Sequence, residues 1–329
     1  MSSRFPRLTL IAGLLALGAG ASALAQTVKV DGSSTVFPIT EAVAEEFQKA
    51  NKGMKVTVGI SGTGGGFRKF CRGESDIQNA SRPILAKEME ECRTAGVQYI
   101  ELPVAYDALT VVVNPRSPLN EVSIDDLKKM WEPAAQGKVM RWNQVNPAFP
   151  DAPLALFGAG ADSGTFDYFT EAVTGKSKSS RGDFTASEDD NVLVQGVSRN
   201  QNAIAFFGFA YFQENKDKIK GLSISWKGGK AVAPSPENVL NGTYQPLSRP
   251  IFIYVNAKSL AKPEVKQFVD FYMKNATKLV REVKYVPLPA KAYEYNVSAV
   301  QKMRLGTKMG GENKVGLTID QLMSLEAKQ

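Results

Sequence analysis

Three times along this chain a short apolar run stops at a cluster of Gly, Ser, Thr and Asp, and an amphipathic stretch follows. Residues 28–30 end at Asp31-Gly32, Ser33-Ser34-Thr35 follow, and apolar positions then recur with helical spacing over residues 39–47. Residues 55–60 alternate as a strand does, residues 61–66 form a glycine-rich loop, and residues 67–71 open a helix. The order returns as a strand over residues 154–157, a loop over 158–164 and a helix over 165–173. Repeated strand–loop–helix units predict an α/β fold of mixed, mostly parallel sheets with helices on both faces.

Two further apolar, β-rich segments stand outside this rhythm: residues 108–113, which end at Asn114-Pro115, and residues 250–256, centred on Ile251 to Val255. If they are adjacent strands, they link two lobes through a two-strand hinge. The lobes are then discontinuous: residues 26–113 with 256–329 form lobe I and residues 114–255 form lobe II. Residues 132–153 and 176–187 read as surface loops. The aromatic cluster at Phe206, Phe207, Phe209, Tyr211 and Phe212 reads as core, as do Val265, Phe268, Val269 and Tyr272.

The first 25 residues stand apart. Arg4 and Arg7 precede a short apolar run over residues 8–17, and Ala23-Leu24-Ala25 fits a small-residue cleavage site, the pattern of a secretory signal peptide. The whole chain has 329 residues, 40 basic against 33 acidic, a net +7. Removing the leader takes two arginines and no acids, leaving 38 − 33 = +5. No arginine-rich run or basic stripe interleaved with aromatics accompanies that bias, so nucleic acid is not an expected partner. The destination is an oxidising compartment, and the sequence offers two cysteines, Cys71 and Cys92. Their natural pairing is one disulfide, worth roughly 3 kcal/mol in the chain-entropy model.

The chain contains no histidine. That excludes Ser-His-Asp and Cys-His nucleophile systems and histidine-based metal sites, so the chain is not expected to be an enzyme or to carry a metal or cofactor. What remains is the chemistry of the three loops, Gly32-Ser33-Ser34-Thr35, residues 61–66 and Asp162-Ser163-Gly164-Thr165. Each precedes a helix, whose first turn leaves N–H groups without intrahelical partners and carries partial positive charge. Glycine permits close backbone approach and the short hydroxyls add donors, so three such ends converging on one cleft would hold a small oxyanion. Taken singly, the same residues serve as ordinary N-caps and turns. Gly66 is followed by Phe67-Arg68 rather than a Walker Lys-Ser, and Gly64-Gly65-Gly66 has the wrong spacing for a dinucleotide fingerprint.

Four motifs in order carry a resemblance: residues 31–38, residues 61–66, residues 76–83 and residues 162–166. Over essentially the whole mature chain they resemble the periplasmic phosphate-binding proteins that deliver phosphate to an ATP-binding-cassette importer. The resemblance implies a monomeric, two-lobed binding protein of the class II type, periplasmic, closing on orthophosphate and docking on permease subunits. It implies Ser34, Thr35, Thr63, Ser163, Gly164 and Thr165 as donors to the ligand. In two places the chain departs from the pattern. Arg82 stands where many members place an aspartate, and Ala159 where they carry an arginine, so Arg82 is expected to reach the anion from the first lobe. The role of accepting the phosphate proton then falls to another carboxylate, with Asp189 the first candidate and Asp167 the second. The donor-rich loops would also suit sulfate, and a secreted phosphatase reusing the fold is the other alternative.

Overall fold

The computed structural model describes residues 26–325 apart from residues 34, 162, 188, 313 and 315. The leader read in residues 1–25 lies outside these, and so does Ser34. The strands in chain order are β1 (Gln26–Gly32), β2 (Met54–Val58), β3 (Ile77–Ala80), β4 (Tyr99–Val113), β5 (Glu121–Ser123) and β6 (Ala155–Ala159). They continue with β7 (Thr185–Ser187), β8 (Ala203–Gly208), β9 (Lys220–Gly221), β10 (Ser223–Ser225), β11 (Ser248–Asn256) and β12 (Val286–Pro287). The first α-helices are α1 (Phe37–Ala50), α2 (Gly62–Cys71), α3 (Ala86–Thr94), α4 (Ile124–Trp131), α5 (Trp142–Val145), α6 (Gly164–Thr174) and α7 (Asp190–Arg199).

The main sheet runs in the order β2-β1-β3-β11-β4-β8-β6-β7. At one end β1 lies parallel to β2 and β3, and at the other β6 lies parallel to β7 and β8. The two groups are joined by β11 and β4, which run antiparallel from Ser248↔Ala108 to Asn256↔Tyr99. Past Ala108 the same strand β4 leaves β11 and pairs Leu109 to Val113 with β8. One 15-residue strand, buried along its whole length, therefore serves both lobes of a mixed α/β, two-lobed fold. The sequence pattern reveals only its second half, because Glu101 and Asp107 interrupt the apolar run. Both are nevertheless buried, at 4% and 2% exposure. Glu101 accepts hydrogen bonds from Tyr254, Thr307 and the Lys308 backbone N–H, and Asp107 pairs with Arg249.

The glycine-rich segment departs from the expected loop: residues 62–66 form the first turn of α2. Glycine is a poor helix former, so tertiary packing holds the turn here. A Cβ at Gly66 would sit 2.6 Å from the Gly32 Cα and 2.2 Å from the Gln78 Oε1, so only glycine lets α2 lie this close to β1 and β3. The other end of α2 is bonded to α3 by the Cys71–Cys92 disulfide. In the second lobe, Phe206 stacks on Phe169 of α6 and meets Trp131 of α4 edge-on, with ring centroids 3.7 Å and 4.9 Å away. This aromatic packing fixes the angle at which α6 presents its N-terminus. No described helix is long and apolar enough to cross a membrane.

Candidate functional site

The N-terminal turns of α2 and α6 face each other across a cavity of about 800 Å³ between the lobes. Thr63 and Gly64 line it from one side, with Ser81 and Arg82 beyond the end of β3; Ser163, Gly164 and Asp167 line it from the other. The two sides already touch at the inner end. A Cβ on Gly164 would lie 2.3 Å from the Ser81 Oγ and 3.7 Å from the Thr35 Oγ1, so a side chain there would push the lobes apart.

The donors are held from behind. Thr63 Oγ1 lies 3.0 Å from the Ser81 Oγ and accepts from the Ser81 backbone N–H at 3.1 Å, while its carbonyl accepts from Gln78 Nε2 at 2.9 Å. Thr63 and Thr165 are buried. Ser163 caps α6, its Oγ accepting from the Thr165 N–H at 3.1 Å. The Thr35 carbonyl accepts from the Tyr285 hydroxyl at 2.8 Å. Of the residues expected at the site, Thr63, Arg82, Ser163 and Gly164 line the cavity and Thr35 lies beside Gly164 at its inner end, while Thr165 is buried in the first turn of α6 and is not among the lining residues.

Arg82 is buried except for 16% of its side chain and is gripped end-on by Glu88, with Nη1–Oε2 and Nη2–Oε1 both 2.8 Å; Nη1 also donates to the Pro83 carbonyl. Those three bonds leave two of the guanidinium's five N–H groups, on its Nε side. Glu88 is set by the start of α3, where it also accepts from the Leu85 N–H at 2.9 Å.

Asp189, the first candidate for the acceptor, stands elsewhere. It is exposed and caps α7, accepting from the Asn191 N–H at 2.9 Å, and it is not among the residues lining the cavity. Asp167, the second candidate, lines the cavity, with Lys178 Nζ 3.7 Å away. Burial pushes its carboxyl above the usual aspartate range, against the pull of Lys178, Arg82 and Arg249. A carboxylate so placed can accept a proton-bearing oxygen and repel a fully ionised one.

Sequence reasoning missed Arg249. It lines the cavity floor from β11, 4% exposed, donating to Asp107 at 3.2 Å and to the Gly164 carbonyl at 3.0 Å while lying 4.6 Å over the Tyr168 ring. The available signal was an arginine opening an otherwise apolar strand, which cannot be buried unpaired. No group of described residues is arranged to hold a metal ion.

A profile of the PBP superfamily domain matches residues 18–276. The chain is 56% identical over 306 residues to Protein SphX of Synechococcus elongatus, covering 93% of this chain and 90% of that protein. It is 36% identical over 291 residues to the phosphate-binding protein PstS of Staphylococcus saprophyticus, covering 87% of this chain and 86% of that one. The chain belongs to the PstS-like family of the PBP superfamily. A solved member, a putative phosphate ABC transporter substrate-binding protein of Clostridium perfringens with bound phosphate, superposes with a TM-score of 0.65 at 26% identity over 80% of this chain and 100% of that one. This PstS-like protein thus shares its two-lobed frame with a class of substrate-binding proteins, and the cavity described above lies at the junction of those lobes.

Proposed function

We propose that this protein captures inorganic phosphate in the cleft between its lobes and hands it to the permease of an ATP-binding-cassette importer. The observation that carries the reading is the convergence of two helix N-termini, α2 and α6, on one cavity that also holds a partly engaged arginine and a half-buried aspartate. The helix ends and short hydroxyls supply donors to the oxygens of a tetrahedral anion. Arg82 adds charge-assisted bonds from its Nε side, and its pairing with Glu88 fixes the direction of that edge. Asp167 takes the acceptor role in place of Asp189 and sets phosphate apart from sulfate, because only phosphate offers a proton to it.

The relatives named above support the ligand, and the leader read in residues 1–25 supports an extracytoplasmic location. The paired strands β4 and β11 form the hinge about which the lobes close, with the crossing near Ala108 and Ser248. Titration calorimetry on protein unfolded, dialysed free of ligand and refolded tests the reading. The expected result is one phosphate per chain, unaffected by a hundredfold excess of sulfate. Equal competition by sulfate, or no heat with phosphate, would overturn it.

A further inference from the structure

Each of the three helix-opening loops carries a serine placed to bond its own backbone, and one of them does not. Ser33 Oγ accepts from the Thr35 N–H at 3.1 Å and Ser163 Oγ from the Thr165 N–H at 3.1 Å. Ser61 holds the N-cap position of α2, yet no side chain caps that helix. Its hydroxyl is engaged elsewhere: the proton goes to Asp31 Oδ1, and the oxygen accepts from Lys69 Nζ at 2.9 Å. Lys69 also donates to Asp31 Oδ2 at 2.6 Å.

The arrangement is built from three elements. Asp31 lies near the end of β1, Lys69 two turns along α2, and Gly59 leaves the room, since a Cβ there would come within 2.8 Å of the Asp31 Oδ2. Asp31 and Lys69 both line a separate hollow behind the loop, outside the cleft, while Ser61 stands between the two. Although burial opposes it, the bonds from Lys69 and Ser61 hold the Asp31 carboxyl below its ordinary range, so it stays charged at neutral pH.

We infer that Asp31 and Lys69 are positioning residues that draw the Ser61 hydroxyl away from its own helix and so keep the first-turn N–H groups of α2 open to the ligand. A serine at this position ordinarily accepts from the second or third N–H of the helix, here Thr63 or Gly64, and those are residues that line the cavity. A hydroxyl swung onto them would compete with the anion for the same donors. The device rests on the phosphate reading, but its geometry can be tested without a ligand.

Three variants, Asp31→Ala, Ser61→Ala and the double, separate the roles. In the ligand-free proteins, hydrogen exchange at the Gly64 amide is expected to be fast in the wild type, about tenfold slower in Asp31→Ala, where Ser61 is released to cap α2, and fast again in the double variant. Phosphate affinity is expected to fall about tenfold in Asp31→Ala and to return to within about threefold of wild type in the double, a rescue that a merely structural loss would not show. Unchanged exchange at Gly64 in Asp31→Ala would overturn the inference whatever the ligand proves to be. So would a double variant as weak as Asp31→Ala, or a tenfold loss in Ser61→Ala alone, which would make the hydroxyl itself a ligand group. Normal exchange behaviour in all three with no phosphate binding in the wild type would instead remove only the identity of the ligand.

Discussion

Two arginines reach the same cavity by different routes. Arg82 sits on the loop after β3, in a motif that a reader of the sequence can pick out, and is tied to Glu88 six residues on. Arg249 sits in the strand that joins the lobes, 142 residues from its partner Asp107, and its Nη1 bonds the first carbonyl of α6. Each is a buried guanidinium held by a carboxylate. Arg82, which lines the cavity, keeps two N–H groups outside its bonds to Glu88 and Pro83, whereas Arg249 spends its bonds joining β4, β11 and α6. On the proposed reading, charge beside the cavity does two jobs here: Arg82 binds the anion, and Arg249 ties the two lobes together.

The largest effect should come from separating those jobs at Arg249. Arg249→Ala leaves Asp107 buried without a partner, and the expected loss is about 3–5 kcal/mol of unfolding free energy by urea denaturation. A stable variant with merely weakened phosphate binding would show that Arg249 is a ligand group and collapse the contrast. Arg82→Ala is expected to weaken phosphate by about 2–4 kcal/mol in calorimetry, with a smaller loss of stability because Glu88 keeps its bond to the Leu85 N–H. Wild-type affinity in that variant would reverse the assignment.

Two smaller effects sharpen the same comparison at the carboxylates. Asp167→Asn should let sulfate compete while phosphate is retained. In the wild type, sulfate exclusion should fade as the pH drops through the carboxylate range, and fade earlier than an ordinary aspartate would dictate, because the Asp167 carboxyl is raised. An unaltered rejection of sulfate at pH 5 and in Asp167→Asn would move the acceptor elsewhere. Asp189→Ala should cost about 1 kcal/mol of stability through the lost α7 cap and leave phosphate affinity as it was. A loss of sulfate rejection there would restore Asp189 as the acceptor.

What was legible in the sequence was local. The three loops announce themselves because the Gly, Ser and Thr that precede each helix are contiguous, and Cys71 and Cys92 needed only each other. The first half of β4 was hidden because its two carboxylates are satisfied by hydrogen bonds from Tyr254 and Thr307 and by the ion pair with Arg249, all distant in sequence. The glycines of α2 read as a loop because their helix is held by Gly32 and Gln78 rather than by propensity. Asp167 lost to Asp189 for a similar reason: a lone aspartate inside a helix carries no local mark of facing a cavity, while an acidic cluster does.

The shared strand β4 has a consequence for how the chain can be made or divided. Cut after Val113, the second sheet loses residues 109–113 and exposes β8 along an unpaired edge of apolar residues, Ile204 to Phe207, all buried in the intact protein. Such an edge invites pairing with other chains. Lobe II expressed alone from Asn114 onward should therefore aggregate, and a fragment that begins at Tyr99 should be the more soluble half. During synthesis β4 emerges long before β11 or β8, so its two faces wait for partners made later, and assembly of both lobes is coupled to the arrival of a single strand of each.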